Sequence, residues 1–245
     1  MTGHAFILFP NRNPDKNQHK GLGETRGKGK NTYPAMRGGM NQLILIAKTV
    51  TAIYRDIDQA VAAFQQESGL ACPRFCGRCC DSQKVEATVI EWLPLALSLS
   101  EAGEGQATLT AIEAMPPGDK RCLFYDRQHE ARPSWGCRCY ETRPLICRMF
   151  GFAGNTDRFG KPRSAFCRVI KDAFSLNEGD AYRLASARMP LFHEAAMRLA
   201  ALHPQFGVTM LPVNLALREA LLKVETLRYF EAMKEQSTNA LNQAA

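Results

Sequence analysis

The sequence has no apolar run of membrane-spanning length: the longest candidate, around Trp92, is interrupted by Glu86 and Glu91. Its opening, Met-Thr-Gly-His-Ala-Phe-Ile-Leu-Phe-Pro, has no basic n-region and only a short apolar stretch, so it does not read as a signal peptide. There is no internal repeat, no Gly-rich phosphate loop and no Ser-His-Asp set in motif context, which excludes a P-loop or a serine triad as the organising feature. Aromatic residues are 9% of the chain and are not interleaved with its arginines, so a base-stacking platform is not expected. These absences point away from membranes and nucleic acid, and the expected location is the cytoplasm.

What the chain has is cysteine, nine residues in 245, four of them between Cys72 and Cys80 in the run Cys-Pro-Arg-Phe-Cys-Gly-Arg-Cys-Cys. In a reducing compartment so dense a set reads as metal ligands before disulfides. The adjacent Cys79 and Cys80 stand apart from the rest. Neighbouring side chains point to opposite faces of an extended chain and about 100° apart on a helix, so the pair is not expected to grip one ion together. A disulfide between them would be strained, and the pair instead suggests two adjacent metal positions or one polynuclear cluster.

The net charge is +7 but unevenly placed. Residues 1–42 carry Arg12, Lys16, Lys20, Arg26, Lys28, Lys30 and Arg37 against Asp15 and Glu24, a surplus of five that leaves two for the rest. This Gly/Asn/Lys-rich segment is expected to be a disordered, solvated extension. Residues 43–236 read as a single α-rich domain and 237–245 as a frayed tail. Helical periodicity runs from Leu43 to Ser68-Gly69, and Val85 to Leu99 reads as a second helix with Pro94 as a kink and Glu86 and Glu91 as surface charges. A short helix near Leu109 to Ala114 stops at Pro116-Pro117-Gly118. Within residues 177–234, Asn177 opens a helix that bends at Pro190 and ends at His203-Pro204, and a long helix spans Val213 to Met233 with Leu217, Leu221, Val224, Leu227 and Phe230 as its stripe. The expected fold is mainly α, with helices packed around a cysteine-rich, metal-nucleated loop region and little β.

The second cysteine block begins with Cys122-Leu-Phe-Tyr, read as a short strand, and continues through a polar loop to Cys137, Cys139 and Cys147. Thr142 caps a helix there, with Pro144 in its first turn, so Cys147 lies near a helix N-terminus where free amides favour a thiolate. Cys167 follows a Gly/Arg-rich loop. Arg78, Arg121, Arg138, Arg148 and Arg168 each abut a cysteine, and Arg74 and Arg143 lie nearby. Eight thiolates around two divalent ions would leave a charge of about −4, which guanidinium groups can offset.

The run Cys76-Gly-Arg-Cys79-Cys80, then Cys122, then Cys137-Arg-Cys-Tyr140-Glu-Thr-Arg143-Pro144-Leu-Ile-Cys147-Arg148, resembles the bacterial CxxCxxCC cysteine-cluster family, a zinc- or iron-chelating domain with flagellin lysine N-methylases among its relatives. The resemblance covers about Leu70 to Arg168. It implies metal ligation by Cys72, Cys76, Cys79, Cys80, Cys122, Cys137, Cys147 and Cys167, with Arg78, Tyr140, Arg143 and Arg148 supporting them from outside. It places Cys139 where the family usually has an apolar residue, as a buried or spare thiol. Three residues separate Cys72 from Cys76 where the family has two, making Cys72 the least secure ligand, with His129 as a possible substitute.

Two four-cysteine zinc sites suit eight thiolates, while an iron-sulfur cluster takes three or four and leaves the others over. The resemblance leans toward iron or an iron-sulfur cluster, with zinc the alternative. The expected function is that of a metal-binding protein with a redox or iron-handling role. A lysine N-methylase-like enzyme acting on a protein substrate and a zinc-ribbon-like module binding nucleic acid or protein are the alternatives.

Overall fold

The computed structural model describes residues 39–72, 76–77, 79–126, 136–186 and 189–243. Nearly all of the basic extension expected over residues 1–42, together with Arg74, Arg78 and His129, lies outside them. Among the described residues the fold is mainly α: eight helices and four strands of two or three residues, the strands forming two small antiparallel pairs.

Helix α1 (Met40–Ser68) buries Leu43, Ile46, Ala47, Val50, Ile53, Tyr54, Ile57, Val61 and Phe64, a stripe at helical spacing. Gly69, at φ 70°, closes the helix by donating its N–H to the Gln65 carbonyl, a left-handed cap that glycine takes without strain. Against α1 pack α2 (Leu93–Glu101), α7 (Phe192–Ala200) and α8 (Val213–Gln243), and α3 (Gly105–Glu113) rests on α2 and α8. Trp92, Leu93, Phe64, Leu217 and Leu221 fill the centre, each essentially without solvent contact. Burial of large apolar side chains at about 1.5–3 kcal/mol apiece is what holds this bundle.

Several expected elements take another form. Val85 to Leu99 is not one helix. Glu86–Ala87 is a strand, β1, paired with β4 (Leu211–Pro212), and a 3-10 turn at Ile90–Trp92 leads into α2. Pro94 sits in the first turn of α2, where its missing N–H costs nothing, so it starts the helix and does not kink it. Cys122 to Tyr125 forms a turn, not a strand, with a single bridge from Tyr125 to Cys137. Asn177 does cap a helix, through a full capping box with Asp180, but α6 (Glu178–Arg183) ends early and α7 begins only after Pro190. The stripe on α8 is buried only as far as Val224; Phe230 is 55% exposed because the helix has by then passed the end of α2 and α3. No helix among the described residues is long and apolar enough to cross a membrane.

The turn after α7 ties the bundle to the cysteine region. His203 Nδ1 accepts the N–H groups of Gln205 and Phe206, and the Phe206 carbonyl accepts the Ile90 N–H. Both bonds to His203 need a neutral imidazole. Partial burial, then the Lys223 ammonium, hold its pKa below the usual histidine value. A histidine whose folded pKa is lowered contributes stability that is present above its unfolded pKa and is lost as pH falls through the folded one. The stability difference between the parent chain and His203→Gln is therefore expected to be largest at pH 7.5 and to shrink below about pH 6.5. A difference independent of pH in chemical denaturation would contradict this.

Candidate metal centre

All nine cysteines are free thiols, eight partly buried and Cys139 buried. Three local devices hold the loops that carry them. In the first, the chain leaves α1 at Gly69, buries Leu70 and reaches Cys72. Gly77, at φ 54°, then opens a tight turn whose carbonyl accepts the N–H groups of Cys80 and Asp81. The turn brings the Cys79 and Cys80 sulfurs to 4.0 Å. This corrects the expectation that neighbouring thiols point apart: the chain here is neither extended nor helical, and a turn folds adjacent side chains to one side.

The second device holds Cys122. Asn214, in the first turn of α8, donates to the Arg121 carbonyl and accepts the Leu123 N–H, clamping the backbone on both sides of the cysteine. Hydrogen bonds from Asp126 N–H to the Gly136 carbonyl and from Arg138 N–H to the Phe124 carbonyl then set Cys137 beside this turn. Cys137 and Cys139 lie two residues apart where the bridge ends, with their sulfurs 3.7 Å from each other.

The third device is a buried carboxylate. Glu91 is 4% exposed. Its Oε2 accepts the Thr88 N–H (2.6 Å) and hydroxyl (2.8 Å), while its Oε1 accepts the Leu145 N–H (2.8 Å). It thus fastens α4 (Leu145–Met149), which carries Cys147, to the entrance of α2. Glu91 is therefore not the surface charge expected of it. The Thr88-x-x-Glu91 spacing is that of a capping box, the one local signal that pointed to it. Arg148, 4% exposed, reinforces the same corner: it pairs with Asp58 of α1, donates to the Arg143 and Glu141 carbonyls, and lies 4.0 Å over the Tyr54 ring. Arg143 stacks 3.8 Å over Tyr140 and donates to the Tyr140 carbonyl. Asp58, Tyr54 and Asn214 carry no motif in the sequence, since each acts on residues far along the chain.

Downstream of α4, Gly151 (φ 86°) turns the chain back toward α5 (Arg168–Ala173). That left-handed backbone favours glycine, and a Cβ there would also press on Ile170 Cδ1 at 2.9 Å. Cys167 is the N-cap of α5, its sulfur accepting the Ile170 N–H at 3.4 Å. Of the other arginines beside cysteines, Arg121 pairs with Asp119 and Asp81, Arg168 with Asp172, and Arg138 donates to the Leu123 carbonyl. The charges of Arg143 and Arg138 also help hold the Cys137 thiol down.

Burial and the neighbouring sulfurs set the acidity of the thiols. Burial pushes Cys72 up to about 12, and negative charge on Cys76, Cys79 and Cys167 adds to this. Cys167 is raised by burial and by Cys76 and Cys79. Burial pushes Cys122 up to about 12, assisted by Cys137, and Cys147 is raised by burial, then by Cys122, Cys79 and Cys137. Within the close pairs one sulfur takes the proton of the other: Cys79 falls to about 7 by accepting from Cys80, and Cys137 falls to about 7 by accepting from Cys139, while both donors are raised. Among the described residues no three His, Cys, Asp or Glu side chains converge on one point; the sulfurs stand instead as two close pairs with the others around them. Soft thiol donors of this kind suit zinc or iron and not magnesium or calcium. Cys122 also borders an open depression of about 570 Å³, lined further by Met115, Asp119, Arg121 and Tyr125.

A helical bundle that carries a thiol-rich loop region with two close sulfur pairs has the donor set of a metal-binding protein of the cysteine-cluster class. Residues 71–168 match the model of the CxxCxxCC family, described as a "putative zinc- or iron-chelating domain". No curated protein and no solved structure matches the chain.

Proposed function

We propose that the cysteine region holds zinc or iron in two adjacent four-thiolate sites, one formed by Cys72, Cys76, Cys79 and Cys167 and the other by Cys80, Cys122, Cys137 and Cys147. The observation that carries this reading is that the loops bring the thiols into two close sulfur pairs, Cys79 with Cys80 at 4.0 Å and Cys137 with Cys139 at 3.7 Å, within the stretch that matches a zinc- or iron-chelating domain. A single cluster fed by four cysteines would leave half of these thiols without a role, whereas two tetrahedral sites use all eight.

Bound metal would supply thiolate coordination that draws three loops together. Arg148 and Arg143, fixed by Asp58 and Tyr140, would offset part of the charge that eight thiolates bring. Cys122, at the edge of the open depression, is the thiol through which metal would be delivered or withdrawn, in keeping with a metal-handling role. The test is anaerobic purification followed by metal and sulfide analysis and a visible spectrum. About two zinc or iron per chain without acid-labile sulfide is expected. Brown protein containing sulfide would replace this reading with an iron-sulfur cluster, and a metal-free chain that takes up neither ion would overturn it.

A further inference from the structure

Helix α8 is apolar on two opposite sides. At about 100° per residue, Leu217, Leu221 and Val224 fall on the side that faces the bundle, and all three are buried. Leu215, Tyr229, Phe230 and Met233 fall on the opposite side and are 40%, 63%, 55% and 47% exposed. Beyond Val224 the two sides exchange character. Arg228, Glu231 and Glu235 continue the bundle-facing side, with Lys234 at its border, whereas the outer side carries Thr226, Tyr229, Phe230, Met233 and Ser237, none of them charged. Every residue from Arg228 to Ser237 is exposed. An apolar stripe on such a stretch stabilises nothing until it is covered, and its direction shows that the cover comes from outside the bundle. Phe230, Met233, Lys234 and Ser237 also line an open depression of about 460 Å³. Their spacing is i, i+3, i+4 and i+7, the four-residue hole that receives one side chain of a facing helix in knobs-into-holes packing.

We propose that the outer side of α8 pairs antiparallel with α8 of a second copy of this chain, through Tyr229, Phe230 and Met233. Charge selects the occupant. Residues 226–243 carry Arg228 and Lys234 against Glu231 and Glu235, so the segment offers no net charge to a strongly acidic or basic partner, and a second copy meets it without an excess of like charge. The antiparallel arrangement opposes the two helix macrodipoles. A twofold axis passing between Glu231 and Ala232 sets Phe230 of each copy against Met233 of the other, so one patch serves both sides of the interface. The overlap is short, which places the pair at the small end of specific interfaces, with a Kd on the order of micromolar.

The test is sedimentation velocity of the full chain, kept in reductant so that no cysteines cross-link, from about 1 to 200 µM, a range that brackets such an association. The parent should pass from monomer to dimer. Phe230→Ser combined with Met233→Ser should weaken dimerisation at least about 30-fold, the effect of losing one hot-spot side chain. The variant should keep the parent's far-UV signal and thermal midpoint, because both side chains lie on the solvent side of α8. A parent that stays monomeric throughout, or a dimer that the substitutions leave unchanged, would overturn the proposal. A second measurement keeps Phe230 and Met233 in place. A benzophenone-bearing residue replaces Tyr229, light and heavy isotope-labelled copies are mixed and irradiated, and the products are located by mass spectrometry. Links from α8 of one copy to α8 of another are expected. Links to residues 1–38 of the same chain, or to a co-purifying protein of different sequence, would show another occupant and overturn the proposal.

Discussion

Glu91→Ala is expected to destabilise the folded chain by about 3–5 kcal/mol, the range for stripping one partner from a buried charged network. The carboxylate accepts from three buried donors, the Thr88 N–H, the Thr88 hydroxyl and the Leu145 N–H. Alanine leaves all three unpaired, at about 1–3 kcal/mol for each group that water cannot reach. Glu91→Gln is expected to lie between, because its amide offers one oxygen while its NH2 must face the N–H groups on the other side. Burial sets the sign of the pH effect. It raises the Glu91 pKa above the usual carboxylate range, against the opposing pull of the Thr88 and Leu145 N–H groups. Such a group stabilises most below its unfolded pKa, and that contribution is lost as pH rises through the folded value. Burial thus works against the charged form, and the penalty for losing the side chain comes from the donors it serves. Urea denaturation of the parent and variants at pH 7.5 checks the order; an Ala variant within about 1 kcal/mol of the parent would contradict it.

Cys147→Ser and Cys79→Ser are each expected to lose metal and to lower solubility, and withdrawing metal altogether should have the largest effect. Cys147 is held by α4 on a corner fixed by Glu91, Arg148 and Asp58, so serine changes the donor while the frame remains. Structural metal contributes on the order of 10 kcal/mol to small thiolate domains, which their loops cannot replace by packing. The loss should nonetheless be local. The contacts of α1, α2 and α8 are mainly apolar and these helices carry no cysteine, so chelation should leave most of the far-UV helical signal while amide exchange rises across residues 76–167. Full metal content in both serine variants would refute the site assignment. Complete loss of helix on chelation would show that the bundle, too, depends on metal.

The sequence by itself determined the local things. Helical spacing from Leu43 marked α1, Asn177 marked a capped helix start, and the density of cysteines in two blocks marked a metal-chelating region that the family match to residues 71–168 supports. These are properties of residues within a few positions of each other, where periodicity, capping and spacing act. Its errors fell where local pattern is silent or ambiguous. Val85 to Leu99 had helical composition, but pairing with Leu211–Pro212 and the Glu91 network turned its first half into a strand and a 3-10 turn. Phe230 kept the period of its helix, yet it lies 55% exposed.

What holds the thiol-bearing loops is tertiary. Cys167 caps α5 after the chain turns at Gly151, and Cys122 sits on a turn clamped by Asn214 of α8. Glu91 is the clearest case. As a charge in the sequence it read as surface. It became a buried anchor because Thr88 and Leu145, fifty-seven residues apart in the chain, bring their N–H groups to its two oxygens. A carboxylate is buried only where donors meet it, and donors so distant in sequence meet only in the folded chain.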